Sequence, residues 1–577
     1  MDYETCRWIL CFAPIQVGRG TKIFEFSDFL TALALLGVIY TITDVRYKFR
    51  IAIAPGELHS RTFVLFAAIG IGSLLTGLWP AMGWWVPETF GLSQVMLQTI
   101  WAILFFTAVF TWMWYAFIHP PIFGRSNARR YLDVMVSYMV RGNDDELKVI
   151  ASELGRSAEQ LVRYARQIPE VRIAQQAGRK YKSTDRGYCA YQVFLLIGNR
   201  KLCKQIVRSA PATAKYLFDA VIKTGKYHLP LAQFARNISG EAINWEESFL
   251  YDEADGFQSG LLGYIKPITK AVYGNIRLIE ALASQVGSPL DVFYKDQLSW
   301  NSRQWEAYCR AVLIALEDCL KQGSTDGTYG VFSRAIEDLK TAFRDIGSIN
   351  GVTDSYDTDA YQKMHVIAQF VTDASELLNN TPNRPEPFNR VRESTYPKNI
   401  YDNLAGLVLD MCVASSAVTE PFFTSWMVQY NTVWNAVFGT ENGPVWHILR
   451  HKVMRLLYDE IATMSRIPNY KGARILGFCL NVLGVSHGAR PARGRYGRDA
   501  WPLAIAAQAW CKKNYLTMRE ELPDVADAVL TGSITFDEPN NRLVKTYAKG
   551  LHREAPQSFM DLDAARPSAE ADLTRPD

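Results

Sequence analysis

Residues Leu92–Ile118 read LSQVMLQTIWAILFFTAVFTWMWYAFI, 27 consecutive positions with no side chain charged at neutral pH. At roughly 1.5 Å of rise per residue, a helix of that length exceeds the ~30 Å hydrocarbon core of a bilayer. It spans with tilt or projects beyond the lipid. Working towards the N-terminus, Thr62–Trp79 (TFVLFAAIGIGSLLTGLW) is a second uncharged run, 18 residues long, or roughly 27 Å of helix. Trp79, Trp84 and Trp85 sit in or beside the short connection, and Trp112, Trp114, Tyr115 and Phe117 close the longer run. Amphipathic rings at the ends of apolar runs suit the headgroup region. A third candidate, Phe29–Thr43 (FLTALALLGVIYTIT), lies between Asp28 and Asp44 and supplies only roughly 23 Å. It spans if Ile23–Ser27 is drawn in; otherwise it is a re-entrant or interfacial helix. Trp8–Val17 is interrupted by Pro14 and too short to cross. Asp2 and Glu4 against Arg7 do not make the basic leader of a cleaved signal peptide.

Orientation follows from the flanking cations. The loop 44–61 carries Arg46, Lys48, Arg50 and Arg61, the loop 80–91 carries none, and Arg125, Arg129 and Arg130 follow the last run. The positive-inside rule then places the 44–61 loop and everything after residue 124 in the cytosol, giving a multi-pass inner-membrane protein. Ala68, Gly72 and Thr76 recur every fourth residue, a small-residue face on which helices pack closely. Gln94 and Gln98 are polar positions that would line a shared axis if several copies formed a pore.

The 577-residue chain is 49% hydrophobic and 21% charged, with 62 Lys and Arg against 58 Asp and Glu. That length suits three or four domains. The near balance of charge excludes any argument from global basicity. Thirty-eight Gly and 25 Pro are too few for a collagen-like or low-complexity chain. Nine Cys without a C-x-x-C pair exclude a zinc ribbon and a regular disulfide framework.

Beyond residue 124 the pattern is helical, so the fold class is mainly α: two or three N-terminal transmembrane helices followed by a large all-α cytosolic region. Trp305, Tyr308, Cys309, Val312, Leu313, Leu316, Cys319 and Leu320 form one apolar face, with Ser302 as an N-cap and Gly323 as a stop. Ser333 opens a further helix stopped by Gly347, Ala360–Leu378 repeats the periodicity, and Pro444 starts another helix through Met464. Ser157 and Gln160 have capping-box spacing, and Tyr188–Ile197 is the one run that could be a buried strand. The Pro-rich stretch 381–398 divides the region into blocks 125–380 and 399–552, and the polar residues from Arg553 onward are expected to be disordered.

Between Arg163 and Arg208 eleven basic residues face only Glu170 and Asp185, whereas 241–255 holds six acids and no base. Such blocks either pair within the fold or serve a ligand. With the bilayer close in sequence, Arg179, Lys180 and Lys182 are candidate contacts for anionic lipid, and a phosphate ligand or nucleic acid would use the same chemistry. The loop 487–498 (HGARPARGRYGR) interleaves Arg490, Arg493, Arg495 and Arg498 with glycines, a pattern that can present guanidinium groups to phosphate but lacks the order of a P-loop. His447 and His451 share a helix face, yet Ile448 replaces the glutamate of H-E-x-x-H, and Asp354, Asp357 and Asp359 lack the glycine and glutamate of an EF-hand. No metal, cofactor or catalytic motif is expected. The leading expectation is a non-enzymatic scaffold, sensor or effector subunit whose helical region binds a protein partner, a second copy or an anionic ligand. The alternatives are an enzyme acting on a phosphate-containing substrate through the Arg-rich loop, and an oligomeric pore or membrane-disrupting effector.

Overall fold

The computed structural model describes residues 5–7, 10–14, 24–42, 44–82, 85–87, 94–178, 181–182, 184–253, 257–259, 263–285, 287–323, 329–382, 384–385, 399–439, 442–486, 499–548 and 556–564. They are mainly helical and form two compact units, 1–234 and 235–577.

In the first unit, α1 (Phe26–Ile42), α2 (Val45–Ala52), α3 (Leu58–Ala81) and α4 (Gln94–Met113) are followed by a π-helical turn, Trp114–Ile118. Ser60–Leu78 and Val95–Ile118 are long and apolar enough to cross a membrane. They pack antiparallel as a hairpin: Trp101 Nε1 of α4 donates to Thr76 Oγ1 of α3 at 3.1 Å, and a Cβ on Gly72 would lie 2.4 Å from the Trp101 ring. We call the end holding Leu58 and Ile118 the base and the opposite end the apex. Near the middle of α3, a Cβ on Gly70 would lie 2.7 Å from the Phe29 ring, which also meets Phe105 edge-on at 5.9 Å. So α1 starts halfway along the hairpin and runs to the base. At the apex, β1 (Thr5–Arg7) and β2 (Leu10–Pro14) pair antiparallel, and β2 pairs with β3 (Trp85–Pro87), just beyond α3. The chain therefore passes from apex to base between β2 and α2.

Helices α5 (Ala128–Arg141), α6 (Asp144–Tyr164), α7 (Ile168–Gln176), α8 (Arg186–Ile197), α9 (Arg200–Ser209) and α10 (Ala212–Thr224) complete this unit. The capping box of α6 is Asn143–Glu146, with reciprocal bonds of 2.9 and 3.0 Å, followed by a run of acids that suits the helix dipole. Ser157 is in mid-helix and buried; it cannot be the cap its spacing suggested, because its Oγ accepts from the Phe123 backbone N–H instead. The run Tyr188–Ile197 is helix, not strand: Asp185 caps it by accepting from Tyr188 N at 2.7 Å.

The second unit is built around long helices at Ser302–Gln322, Tyr329–Leu339, Asp359–Asn380, Ile400–Ser415, Pro444–Met464, Tyr470–Leu483 and Trp501–Glu521. Its first long helix is capped by Asn301 in a capping box with Gln304, one residue ahead of Ser302, and ends at Gly323 with φ +62°. Ser333 lies inside Tyr329–Leu339, and separate 3-10 turns follow at Lys340–Phe343 and Ile346–Ile349. A three-stranded antiparallel ladder, Ile534–Asp537, Arg542–Thr546 and Gln557–Asp561, closes the unit. Its third strand departs from the expected disorder over residues 557–561, because Met560 is buried opposite Leu543. A buried polar network ties the ladder's approach to a π-helical turn, Met427–Trp434. Gln429 Nε2 lies 3.1 Å from both Ser425 Oγ and Thr531 Oγ1, Gln429 Oε1 accepts from Asn481 Nδ2 at 3.0 Å, and Lys545 Nζ donates to the Asn481 carbonyl. These donors and acceptors satisfy one another, as a buried polar group requires.

Candidate functional site

The base of the hairpin carries an arrangement that sequence inspection did not reveal. Helix α2 has Asp44 as its N-cap and places Arg46 and Arg50 one turn apart. Arg50 turns inward among Ile51, Ala54, Leu58, Trp112 and Ala116, which form one apolar cluster with Tyr47 and Tyr115 at its edge. Its guanidinium meets the Glu153 carboxylate of α6 in a fork: Nε to Oε2 at 3.1 Å and Nη2 to Oε1 at 2.6 Å. The third nitrogen, Nη1, donates at 3.0 Å to the carbonyl of Ala116 in the π-helical turn. Arg46 adds a second positive charge 3.7 Å from Glu153. One guanidinium thus joins α2, the end of the apolar hairpin and the first long helix of the helical region.

The surroundings lock that geometry. Glu153 and Ser157 lie one turn apart on α6, beside its apolar stripe Leu147, Ile150, Leu154, Ala158 and Leu161. Phe123 meets Tyr131 edge-on at 5.4 Å, and Tyr131 meets Phe49 of α2 at 6.1 Å. Burial raises the Tyr131 phenol well above its usual range, and the nearby Glu153 carboxylate adds to the effect. Asn127 Nδ2 donates to the Ile53 carbonyl at 2.8 Å, and Arg130 Nη1 donates to the Ala54 carbonyl at 2.7 Å. The turn between α2 and α3 is therefore held by α5, and α2 itself by α6. A displacement of the hairpin base must move these helices or break a buried, charge-assisted fork. The arrangement couples the position of α2 and the end of α4 to that of α6.

Among residues singled out from sequence, Gly72 and Thr76 lie where α3 meets Trp101, while Ala68 is exposed. Gln98 is buried within α4, and Gln94 is its first residue. Lys182 is exposed; Arg179, Lys180, Arg490, Arg493, Arg495 and Arg498 lie outside the described residues. His447 and His451 are both exposed, and Asp459 pairs with Arg455 at 3.2 Å. Asp359 accepts from the Ser302 N–H at 2.7 Å and pairs with Lys363. Among the described residues, no three His, Cys, Asp or Glu side chains are grouped to hold a metal ion. Burial pushes the Cys309, Cys412, Cys479 and Cys511 thiols up, as befits core residues rather than nucleophiles. In the acidic stretch 241–255, Glu246 pairs with Arg303 at 3.0 Å and Glu253 accepts from the Ile268 and Thr269 backbone N–H groups.

The joint left one faint trace in the sequence: two arginines at i, i+4 in a short loop helix, and an acid beside an apolar stripe. Their partnership spans 103 positions, which local periodicity does not encode. Compared with protein-family models, curated proteins and solved structures, the chain matches none.

Proposed function

We propose that this chain is a non-enzymatic, membrane-tethered interaction protein, in which a helical region binds a partner or anionic ligand and relays that event to bilayer-spanning helices. The observation that carries the proposal is the buried Arg50–Glu153 fork, which joins the base of the apolar hairpin to the first long helix of that region. The membrane assignment draws on the hairpin's surface. Phe63, Val64, Ile71, Ile103 and Phe106 are all more than half exposed, an apolar belt that water would penalise and lipid would not. The path of α1 favours a third crossing. Strands β1 and β2 pair at the apex while α2 lies at the base, which supports a topology with residues 5–14 and 85–87 on one side of the bilayer and α5 and α6 on the other. The basic loop 44–61 and Arg125, Arg129 and Arg130 support a cytosolic location for that second side.

Two measurements test this. Alkaline carbonate should leave the full chain in the membrane fraction, and single cysteines introduced at residues 10–14 and 128–141 should react with an impermeant maleimide from opposite sides. Extraction, or labelling of both from one side, overturns the membrane assignment. For the relay, hydrogen exchange in α5 and α6 should change when the chain moves from detergent into nanodiscs, and Glu153→Ala should abolish that change. A response unaffected by the substitution refutes the relay.

A further inference from the structure

Helices α7 and α8, with Tyr181 and Lys182 between them, carry a surface that the relay does not use. Tyr181 and Tyr188 stack at 5.1 Å with planes 21° apart, and Tyr188 and Tyr191 at 6.2 Å with planes 10° apart. Arg166 caps the column 4.6 Å from the Tyr181 centroid and is neutralised by Asp185, to which it pairs at 2.9 Å. That contact holds the Asp185 carboxyl below its usual range. Beside the column, the Arg186 guanidinium lies 3.4 Å over the Tyr164 ring, with Arg163 on the same ring at 6.0 Å. Arg172 lies within electrostatic reach of Tyr191. Among the described residues, Arg163, Arg172, Lys182 and Arg186 make no ion pair, unlike Lys215 and Arg166 in the same unit. Four cations that find no counter-ion among the described residues, one of them over an aromatic face, leave N–H groups available to an external anion.

We propose that this surface, centred on Tyr181, Tyr188, Tyr191, Arg163, Arg172 and Arg186, binds the phosphate headgroups of an anionic phospholipid leaflet. The inference rests on the membrane assignment above. Three observations favour lipid over nucleic acid. The tyrosine faces are occupied by one another, so bases have little free ring face on which to stack. Ile173, next to Arg172 on α7, is 66% exposed, an apolar side chain beside a cation that suits a headgroup–acyl boundary. Finally, Cys189 in the first turn of α8 is within electrostatic reach of Arg129 and Asp133 near the start of α5. The neighbouring Arg130 holds the Ala54 carbonyl at the hairpin base. Helix α8 therefore packs on the helix that is bonded to the hairpin base.

The test uses the full chain in nanodiscs of phosphatidylcholine alone or mixed with phosphatidylglycerol, with hydrogen exchange read over residues 163–191. Exchange should slow only in the mixed discs. R163E/R172E/R186E should remove the protection and R163K/R172K/R186K should keep it. At roughly fivefold in affinity per basic residue, three lost attractions weaken the contact on the order of a hundredfold. Equal exchange in the two discs, with the chain still carbonate-resistant, overturns the lipid assignment alone. Protection in phosphatidylcholine discs produced by a short RNA or by inorganic phosphate, and not by phosphatidylglycerol, reassigns the surface to that ligand and likewise refutes it. Release by carbonate overturns the membrane assignment and this inference with it.

Discussion

Glu153→Ala is the sharpest perturbation of the joint. The substitution removes both oxygens of the fork, leaving the Arg50 guanidinium with the Ala116 carbonyl at 3.0 Å and the Tyr47 ring at 5.5 Å as its partners. Arg50 is 7% exposed and Glu153 5%, so water has little access to replace the lost carboxylate. Stranding one partner of a buried ion pair costs about 3–5 kcal/mol. For a unit of this size that corresponds to a fall in Tm of about 10 °C. Arg50→Met should cost less, because Arg46 stays 3.7 Å from the Glu153 carboxylate. The double variant Arg50→Met/Glu153→Leu, which removes both charges and fills the space, should recover most of the loss, because apolar replacement of a whole buried pair is near neutral or stabilising by about 1–4 kcal/mol. The assay is thermal unfolding of the full chain in one detergent, followed by tryptophan fluorescence and assembled into a double-mutant cycle. If either single change costs less than about 1 kcal/mol, or the double variant is as damaged as the sum of the singles, the fork is not the fastening described here.

Two further outcomes follow from named contacts. Gly72→Ala should weaken the hairpin despite the higher helix propensity of alanine, because its Cβ would sit 2.4 Å from the Trp101 ring; Gly77→Ala, with nothing within 4 Å, should stabilise it by about 0.5–1 kcal/mol. Unfolding in SDS-titrated micelles separates the two. In the second unit, burial raises the Asp338 carboxyl from 3.8 to about 6, with Gln297 as its hydrogen-bonding neighbour and Asp291 adding like charge. A carboxyl that holds its proton more tightly when folded contributes stability below about pH 4 and loses it as pH rises through about 6. Asp338→Asn should therefore raise Tm at pH 8 and leave it nearly unchanged at pH 4; a constant difference across that range refutes the assignment.

Much of the architecture was legible because it is local. Two uncharged runs of 18 and 27 residues are written consecutively, and the apolar face of Ser302–Gln322 repeats with the helical period whatever it packs against. Gly323 ends that helix because its φ of +62° suits a residue without a Cβ. Caps were less legible, since Ser, Asn and Asp compete for the role within a few residues. Asn301 won over the adjacent Ser302 by geometry that spacing alone cannot rank, and Ser157 has cap spacing yet sits in mid-helix, fourteen residues beyond the true cap Asn143. The strand at Gln557–Asp561 was hidden in a polar, proline-bearing stretch because its ordering comes from a partner strand, not from its own composition.

What the amino-acid order determined by itself was the mainly helical character and which runs are long and apolar enough to cross a membrane, since both depend on neighbours within a few turns. Only the tertiary structure decided that α1 begins halfway along the hairpin, that residues 5–14 pair with 85–87, and that Arg50 finds Glu153. A charge buried among apolar side chains is costly until a partner distant in the chain is brought to it, and that closure is a property of the folded packing, not of any segment read alone.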